Sequence, residues 1–229
     1  MPLHIGIVGC TAEGAALCYR TICEEGAFLL GGRAHPEVSL HNHSLAEFMT
    51  CLTAGDWQRV ADLILTSAGK LAKAGADFFV CPANTVHQAF PLIAGRAPIP
   101  FLHIGEVTAE HAKQRSFRRV GILGTRSLVE SEIYPSALAA YGLDYVRPEA
   151  AAREEVNCII FEELTRGIFK PQSVETIQRA IVALKSSGCD SVVLGCTEIP
   201  LVIDDANSAL PTLDSTRLLA RAALRRACV

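Results

Sequence analysis

The chain lacks the marks of several large functional classes. None of its cysteines is spaced Cys-x-x-Cys, the arrangement of zinc and redox sites. No segment approaches the ~20 apolar residues that a membrane span requires. The apolar run Leu3 to Cys10 is short and has no basic flank, so it reads as a first strand rather than a signal peptide. Lys and Arg number 21 against 24 Asp and Glu, for a net charge of -3. That balance supplies no basic stripe for phosphate contacts and argues against general nucleic-acid binding. Neither the dinucleotide fingerprint nor the P-loop pattern occurs, so a nucleotide cofactor is unsupported. No two histidines combine metal-ligand spacing with a carboxylate, which argues against a metal site. Aromatic residues are scarce at 6%, too few to suggest an aryl-binding pocket.

What is present suits a globular protein. At 229 residues, half of them apolar and a fifth charged, the chain can build one large α/β domain or two small ones around a filled core. Its nine cysteines, at 10, 18, 23, 51, 81, 158, 189, 196 and 228, are odd in number and irregularly spaced. A disulfide framework does not fit them, and a reducing, cytoplasmic setting does. Most read as small buried hydrophobes.

Strand-like and helix-like segments alternate along the chain. Residues 4–9, 38–42, 77–81, 99–104, 119–124, 143–147, 190–195 and 211–213 read as strands. In the helical pattern Asp56 to Lys73, Val60, Leu63, Ile64 and Leu71 share a face and Asp56 is placed as the cap. Such alternation implies right-handed βαβ units and parallel sheets covered on both faces. Ala97-Pro98-Ile99-Pro100 reads as a crossing, dividing the chain into residues 1–98 with 208–229 and residues 99–207. The final helix, from about Asp214, is expected to return to the first half.

Ligands of parallel sheets collect beyond the carboxyl ends of the strands. Four turns answer that rule: Gly9-Cys10-Thr11-Ala12-Glu13, Ala83-Asn84-Thr85, Gly124-Thr125-Arg126-Ser127 and Gly195-Cys196-Thr197-Glu198. Each joins small residues and hydroxyls at an expected helix start, where unpaired N–H groups suit carboxylates or phosphates. Two of them form a pair: Phe79-Val80-Cys81-Pro82-Ala83-Asn84-Thr85-Val86-His87 and Val193-Leu194-Gly195-Cys196-Thr197-Glu198. Both run from an apolar strand through small residues into hydroxyl and amide groups, as expected of a site built from two similar halves.

These residues resemble the cofactor-independent aspartate/glutamate racemases, and among them the broad amino-acid racemase branch. Asn84-Thr85-x-His87 is similar to the family's first motif and Leu194-Gly195-Cys196-Thr197-Glu198-Ile199 to its second. Further matches are Gly124-Thr125-Arg126, Asn157 with Ile159-Ile160-Phe161-Glu162-Glu163-Leu164, and Pro100-Phe101-Leu102-His103-Ile104. The resemblance implies two similar Rossmann-like or flavodoxin-like α/β domains with parallel sheets and an active site in the cleft between them. It also implies a homodimer, and racemisation without pyridoxal phosphate, by one thiol on each face of the α-carbon. Cys196 would be one acid/base. Asn84, Thr85 and Thr197 would bind the α-carboxylate and amine, with Thr11, Thr125 and Glu198 completing the site. A helix N-terminus beneath Cys196 would favour the thiolate, and Glu198 would orient a neighbouring donor.

The departure is at Ala83, where the family carries cysteine or, in one branch, threonine immediately before Asn-Thr. A methyl group cannot move a proton. Cys81 points the same way along the strand but lies over half a nanometre off at roughly 3.3 Å per residue, too far to substitute directly. Three explanations stand: a Cys-to-Ala engineered variant, a natural one-thiol enzyme, or a different first acid/base such as Cys81, Thr85 or a water. Two other functions also remain. Arylmalonate-type decarboxylases keep only the second thiol, and a non-catalytic amino-acid-binding protein would need none. His87, His41 and His43 read equally as site groups or as ordinary turn and cap residues, and Arg126 as a surface residue. Where the family often has a lysine, Thr165-Arg166 stand here.

Overall fold

The computed structural model describes residues 1–228. The chain forms two compact units, Met1–Val107 with the residues from Thr216 onward, and Thr108–Ser215. Each unit holds one parallel four-stranded sheet, as the alternating pattern demands.

The first unit contains β1 (Ile5–Gly9), α1 (Ala12–Leu30), β2 (Val38–Asn42), α2 (Leu45–Ala54), α3 (Trp57–Lys73), β3 (Phe78–Val80), α4 (Phe90–Ile93) and β4 (Phe101–Leu102). Helix α5 (Ile104–Gln114) leads into the second unit, which contains β5 (Arg119–Gly124), α6 (Arg126–Val129), α7 (Ile133–Ala140), β6 (Asp144–Val146), α8 (Ala150–Glu162), α9 (Pro171–Ser186), β7 (Ser191–Gly195) and β8 (Thr212–Asp214). Helix α10 (Ser215–Cys228) closes the chain. The sheet orders are β2-β1-β3-β4 and β6-β5-β7-β8, the same arrangement built twice. All eight strands lie where the pattern places them, to within a few residues at each end.

The unit boundaries fall later than expected. Phe101 and Leu102 pair with Phe79 and Val80, so the segment after Ala97–Pro100 still belongs to the first sheet. Thr212, Leu213 and Asp214 pair with Val192, Val193 and Leu194, so the return follows β8 rather than preceding it. Backbone pairing, which proline punctuation does not reveal, sets both limits. The final helix does return: the Leu3 N–H donates to the Ala227 carbonyl at 2.8 Å, and Arg221 clamps Glu25 through its Nη2 at 2.8 Å.

Local sequence explains the principal helices. Asp56 caps α3 by accepting the Arg59 N–H at 3.0 Å. That helix buries Val60, Ala61, Ile64, Ser67, Ala68 and Leu71, a stripe at helical spacing. Pro171 opens α9, where a missing N–H is tolerated, and Ile177, Ala180, Ile181 and Leu184 face the sheet. The first core gathers Val8, Phe48, Val60, Ile64, Phe79 and Phe90. The second gathers Leu123, Ile160, Ile177, Ile181, Leu194 and Ile199. Fully burying each such side chain contributes roughly 1.5–3 kcal/mol. No helix among the described residues is long and apolar enough to cross a membrane.

The two units repeat each other at the level of register. Ile5-Gly6-Ile7-Val8-Gly9 matches Val120-Gly121-Ile122-Leu123-Gly124. Asp77 and Asp190 tie the strand starts alike: the Asp77 N–H donates to the His4 carbonyl and the Asp190 N–H to that of Arg119, each at 2.9 Å. Their carboxylates accept from the backbone N–H groups of His4 and Arg119 in return.

Glycines at strand ends permit the close packing. A Cβ on Gly195 would collide with the Leu128 side chain and come within 3.0 Å of the Leu123 carbonyl oxygen, which cannot swing away. Gly195→Ala is therefore expected to destabilise the protein by about 1–3 kcal/mol, read as a lowered urea midpoint. An unchanged midpoint would show that the strand end has slack this packing does not suggest.

Candidate active site

Register identifies which residues of the two units correspond. Val80 lies opposite Ile7, two residues before β1 ends at Gly9. Val193 lies opposite Ile122, two residues before β5 ends at Gly124. Counting three residues onward from each reaches Ala83 and Cys196, then Asn84 and Thr197. Ala83 thus holds the place in the first unit that Cys196 holds in the second. Both are buried, at 8% and 7% exposure, and each joins the core cluster of its own unit.

The second-unit site centres on a carboxylate. The Cys196 thiol donates to Glu198 Oε2 at 2.8 Å, and the Thr197 hydroxyl donates to Glu198 Oε1 at 2.7 Å. All three residues are buried. Burial, followed by the charge and hydrogen bond of Glu198, pushes the Cys196 thiol well above its ordinary range, outweighing the backbone N–H groups of Glu198 and Ile199 that favour the thiolate. Cys196 therefore rests protonated, as a proton donor. This corrects the expectation of a thiolate stabilised by a helix start. Beyond Cys196 the chain makes a single 3-10 turn, Ile199–Leu201, in which Pro200 lacks an N–H, so no α-helix macrodipole acts there. Glu198 does hold a donor in place, but both its oxygens are occupied by its own neighbours. Thr197, its O–H directed to Glu198, has lone pairs left for a ligand, which suits an ammonium group better than a carboxylate.

Thr125 caps α6, its Oγ1 accepting the Leu128 N–H at 3.4 Å. Asn157 Oδ1 accepts the Arg126 N–H at 2.9 Å and so fixes the turn beside it. The Arg126 side chain leaves this turn and pairs with exposed Glu154 at 3.0 Å, as a surface residue does. Arg166 similarly pairs with Glu162 at 2.9 Å, one helical turn away.

In the first unit Thr11 caps α1, accepting the Gly14 N–H at 3.2 Å. Asn84 is buried and precedes a 3-10 turn, Thr85–Ala89, where an α-helix was expected to start directly; α4 comes after it. Cys81 is fully buried, and desolvation, then the neighbouring Cys10, push its thiol well up. It is a core thiol in this structure, so of the groups considered for a different first acid/base Thr85 and a water remain.

His87 is buried in the same region. Its Nε2 meets the Cys81 carbonyl at 2.9 Å, and because a carbonyl only accepts, Nε2 carries the proton. Nδ1 is left as a buried acceptor with no hydrogen-bond partner. The ring stacks on Phe90 at 3.8 Å and meets His103 edge-on at 4.6 Å. Desolvation, then His103, hold His87 well below the ordinary imidazole range, and burial pulls His103 down to about 4. Sequence reading gave His103 no role, though its place just beyond β4 is the same strand-end signal that drew attention to the other turns. His41 lies elsewhere in this unit. Its Nδ1 pairs with Ser67 Oγ at 3.0 Å and its Nε2 accepts from Lys70 Nζ at 2.9 Å, while His43 packs edge-on against it at 4.9 Å.

Residues 7–223 match the profile of the family described as Asp/Glu/Hydantoin racemase. A curated relative, the broad specificity amino-acid racemase RacX of Bacillus subtilis (strain 168), is 28% identical over 169 residues, 72% of this chain and 71% of its own length. A crystal structure of a candidate Asp/Glu racemase from Yersinia pestis superposes with a TM-score of 0.92 at 32% identity, covering 99% of this chain and 100% of that one. A second, an aspartate racemase homologue from Pyrococcus horikoshii OT3, superposes with a TM-score of 0.87 at 30% identity and covers all of both chains.

The partly buried His103 makes a pH prediction. His103 is held at about 4 in the fold against an ordinary value of 6.5, so the unfolded chain binds its proton more readily. Its contribution is complete above pH 6.5 and is lost as pH falls toward 4, amounting to about 2 kcal/mol between pH 7.5 and pH 5. Urea unfolding at those two pH values should show that loss, and His103→Gln should shrink it. An equal loss in the variant would place the titrating groups elsewhere.

Proposed function

The chain belongs to the Asp/Glu/hydantoin racemase family, and we propose that it works on the α-carbon of an amino acid by thiol acid/base chemistry at Cys196, without pyridoxal phosphate. The observation that carries this reading is the buried Cys196 thiol just beyond β7, its S–H donating to Glu198 Oε2 at 2.8 Å. Its relatives named as racemases support the substrate class.

Inversion at carbon requires removal of a proton from one face and delivery to the other. Cys196 serves one face. The corresponding strand end of the first unit carries the Ala83 methyl, which serves none. The α-carbon of an amino acid is a weak acid, so charge developing on the carboxylate as the proton leaves must meet donors. We assign that role to Asn84 and Thr85 with Thr11, and assign contacts to the amine to Thr197, with Thr125 beside it. Electrostatic stabilisation of this kind replaces the electron sink that pyridoxal would provide.

A single proton donor facing one side also fits a second reaction, protonation of an enediolate after a malonate loses carbon dioxide. That reading rests on the lone Cys196 thiol, whose S–H donates to Glu198, with a methyl at the corresponding position 83.

In deuterated water the protein is expected to exchange the α-hydrogen of an amino acid with retained configuration and negligible racemisation, followed by NMR and chiral chromatography. Ala83→Cys should raise racemisation by about 100-fold or more, the usual scale for a positioned acid/base. Racemisation by the unaltered chain at the rate of the Ala83→Cys variant would overturn the view that Ala83 removes an essential base. Release of carbon dioxide from an arylmalonate, with no α-exchange on amino acids, would establish the second reaction instead.

A further inference from the structure

The Cys196–Glu198 contact goes beyond orientation. Granting the racemase reading, we propose that Glu198 is a positioning residue that holds the exchangeable proton of Cys196, accepting it from Sγ when the sulfur acts as a base. Sγ and Oε2 are 2.8 Å apart, within direct transfer distance. The Thr197 hydroxyl on Oε1, at 2.7 Å, fixes the carboxylate so that Oε2 faces the sulfur. Both donors on Glu198 are neutral, and the carboxylate is buried at 5% exposure. The pair therefore shares one negative charge and one proton inside the core.

That sharing solves a problem the site otherwise poses. A buried thiol beside a carboxylate resists ionisation if its proton must leave for solvent, since a second buried charge would form. Transfer to Glu198 avoids this. The S–H bond breaks, an O–H bond forms on Oε2, and the single negative charge moves from oxygen to sulfur. The thiolate then takes the α-proton: the Cα–H bond breaks, a new S–H bond forms, and the electron pair remains on the substrate as an enediolate. Return of a proton from Sγ to carbon, and of the stored proton from Glu198 to sulfur, restores the resting pair. The groups acting on Cys196 are the Glu198 carboxylate and, opposing it, the backbone N–H groups of Glu198 and Ile199.

Glu198→Gln tests this by moving two readouts in opposite directions. The amide carries no charge, so alkylation of Cys196 by iodoacetamide, resolved from the other cysteines by peptide mass analysis, should shift its pH midpoint down by about one unit or more. The amide also cannot accept the proton, so α-hydrogen exchange should fall by about 100-fold or more. Glu198→Asp, which keeps the carboxylate, should recover part of the exchange and remains informative if the glutamine variant folds poorly. A glutamine variant that exchanges at the wild-type rate overturns the proposal, as does an alkylation midpoint that stays put or rises. If the wild-type protein exchanges no amino acid at all, the functional reading fails on its own, while the alkylation shift still reports whether Glu198 controls the Cys196 proton.

Discussion

Parallel pairing between the two central strands of each sheet is the constraint on which the rest of the molecule depends. It places Val80 opposite Ile7 and Val193 opposite Ile122, and a shift by one residue would turn each strand's side chains to the other face. Asp77 and Asp190 pin the strand starts by meeting backbone N–H groups, so the register is fixed from outside the ladder as well as within it. The interior glycines at 6 and 121 allow packing that a side chain would crowd: a Cβ would sit 3.2 Å from Ala76 in one case and 2.8 Å from Leu184 in the other. Ala83 and Cys196 come to equivalent places because of this shared register.

Electrostatics at Cys196 runs against the simplest reading of its motif. A cysteine at a strand end, followed by Thr-Glu, suggests a thiolate over a helix start. The chain has only a short turn there, and the nearest charge is negative. Desolvation and Glu198 act in the same direction, whereas the two backbone N–H groups that favour the thiolate are weaker influences. The result is a thiol that keeps its proton and donates it in a hydrogen bond to Glu198, with Thr197 completing a compact network whose members are adjacent in sequence.

The first unit spends its buried polar groups differently. Where the second unit has a thiol and a carboxylate, the first has a methyl at Ala83 and a pair of aromatic-packed histidines, His87 and His103. Both imidazoles are pushed toward the neutral form, His103 by desolvation and His87 by desolvation and then by His103. The Nε2–H bond from His87 to the Cys81 carbonyl ties the turn after β3 to the strand itself. The bond spans the segment carrying Ala83, Asn84 and Thr85.

The sequence by itself determined the strands, the two-fold recurrence of α/β units, the capped helix at Asp56 and the candidate residues at the strand ends. These depend on local periodicity, glycine placement and capping chemistry, each of which spans a few residues. Only the tertiary structure decided where one unit ends and the next begins, because β4 and β8 are assigned by partners far away in the chain. It also decided the protonation of Cys196 and the burial of Cys81. A proton's preference depends on how much water and which charges surround a group, and a linear pattern records neither. His103, quoted only as part of a matching segment, had no role in the sequence for the same reason: it matters through its packing against His87, sixteen residues earlier.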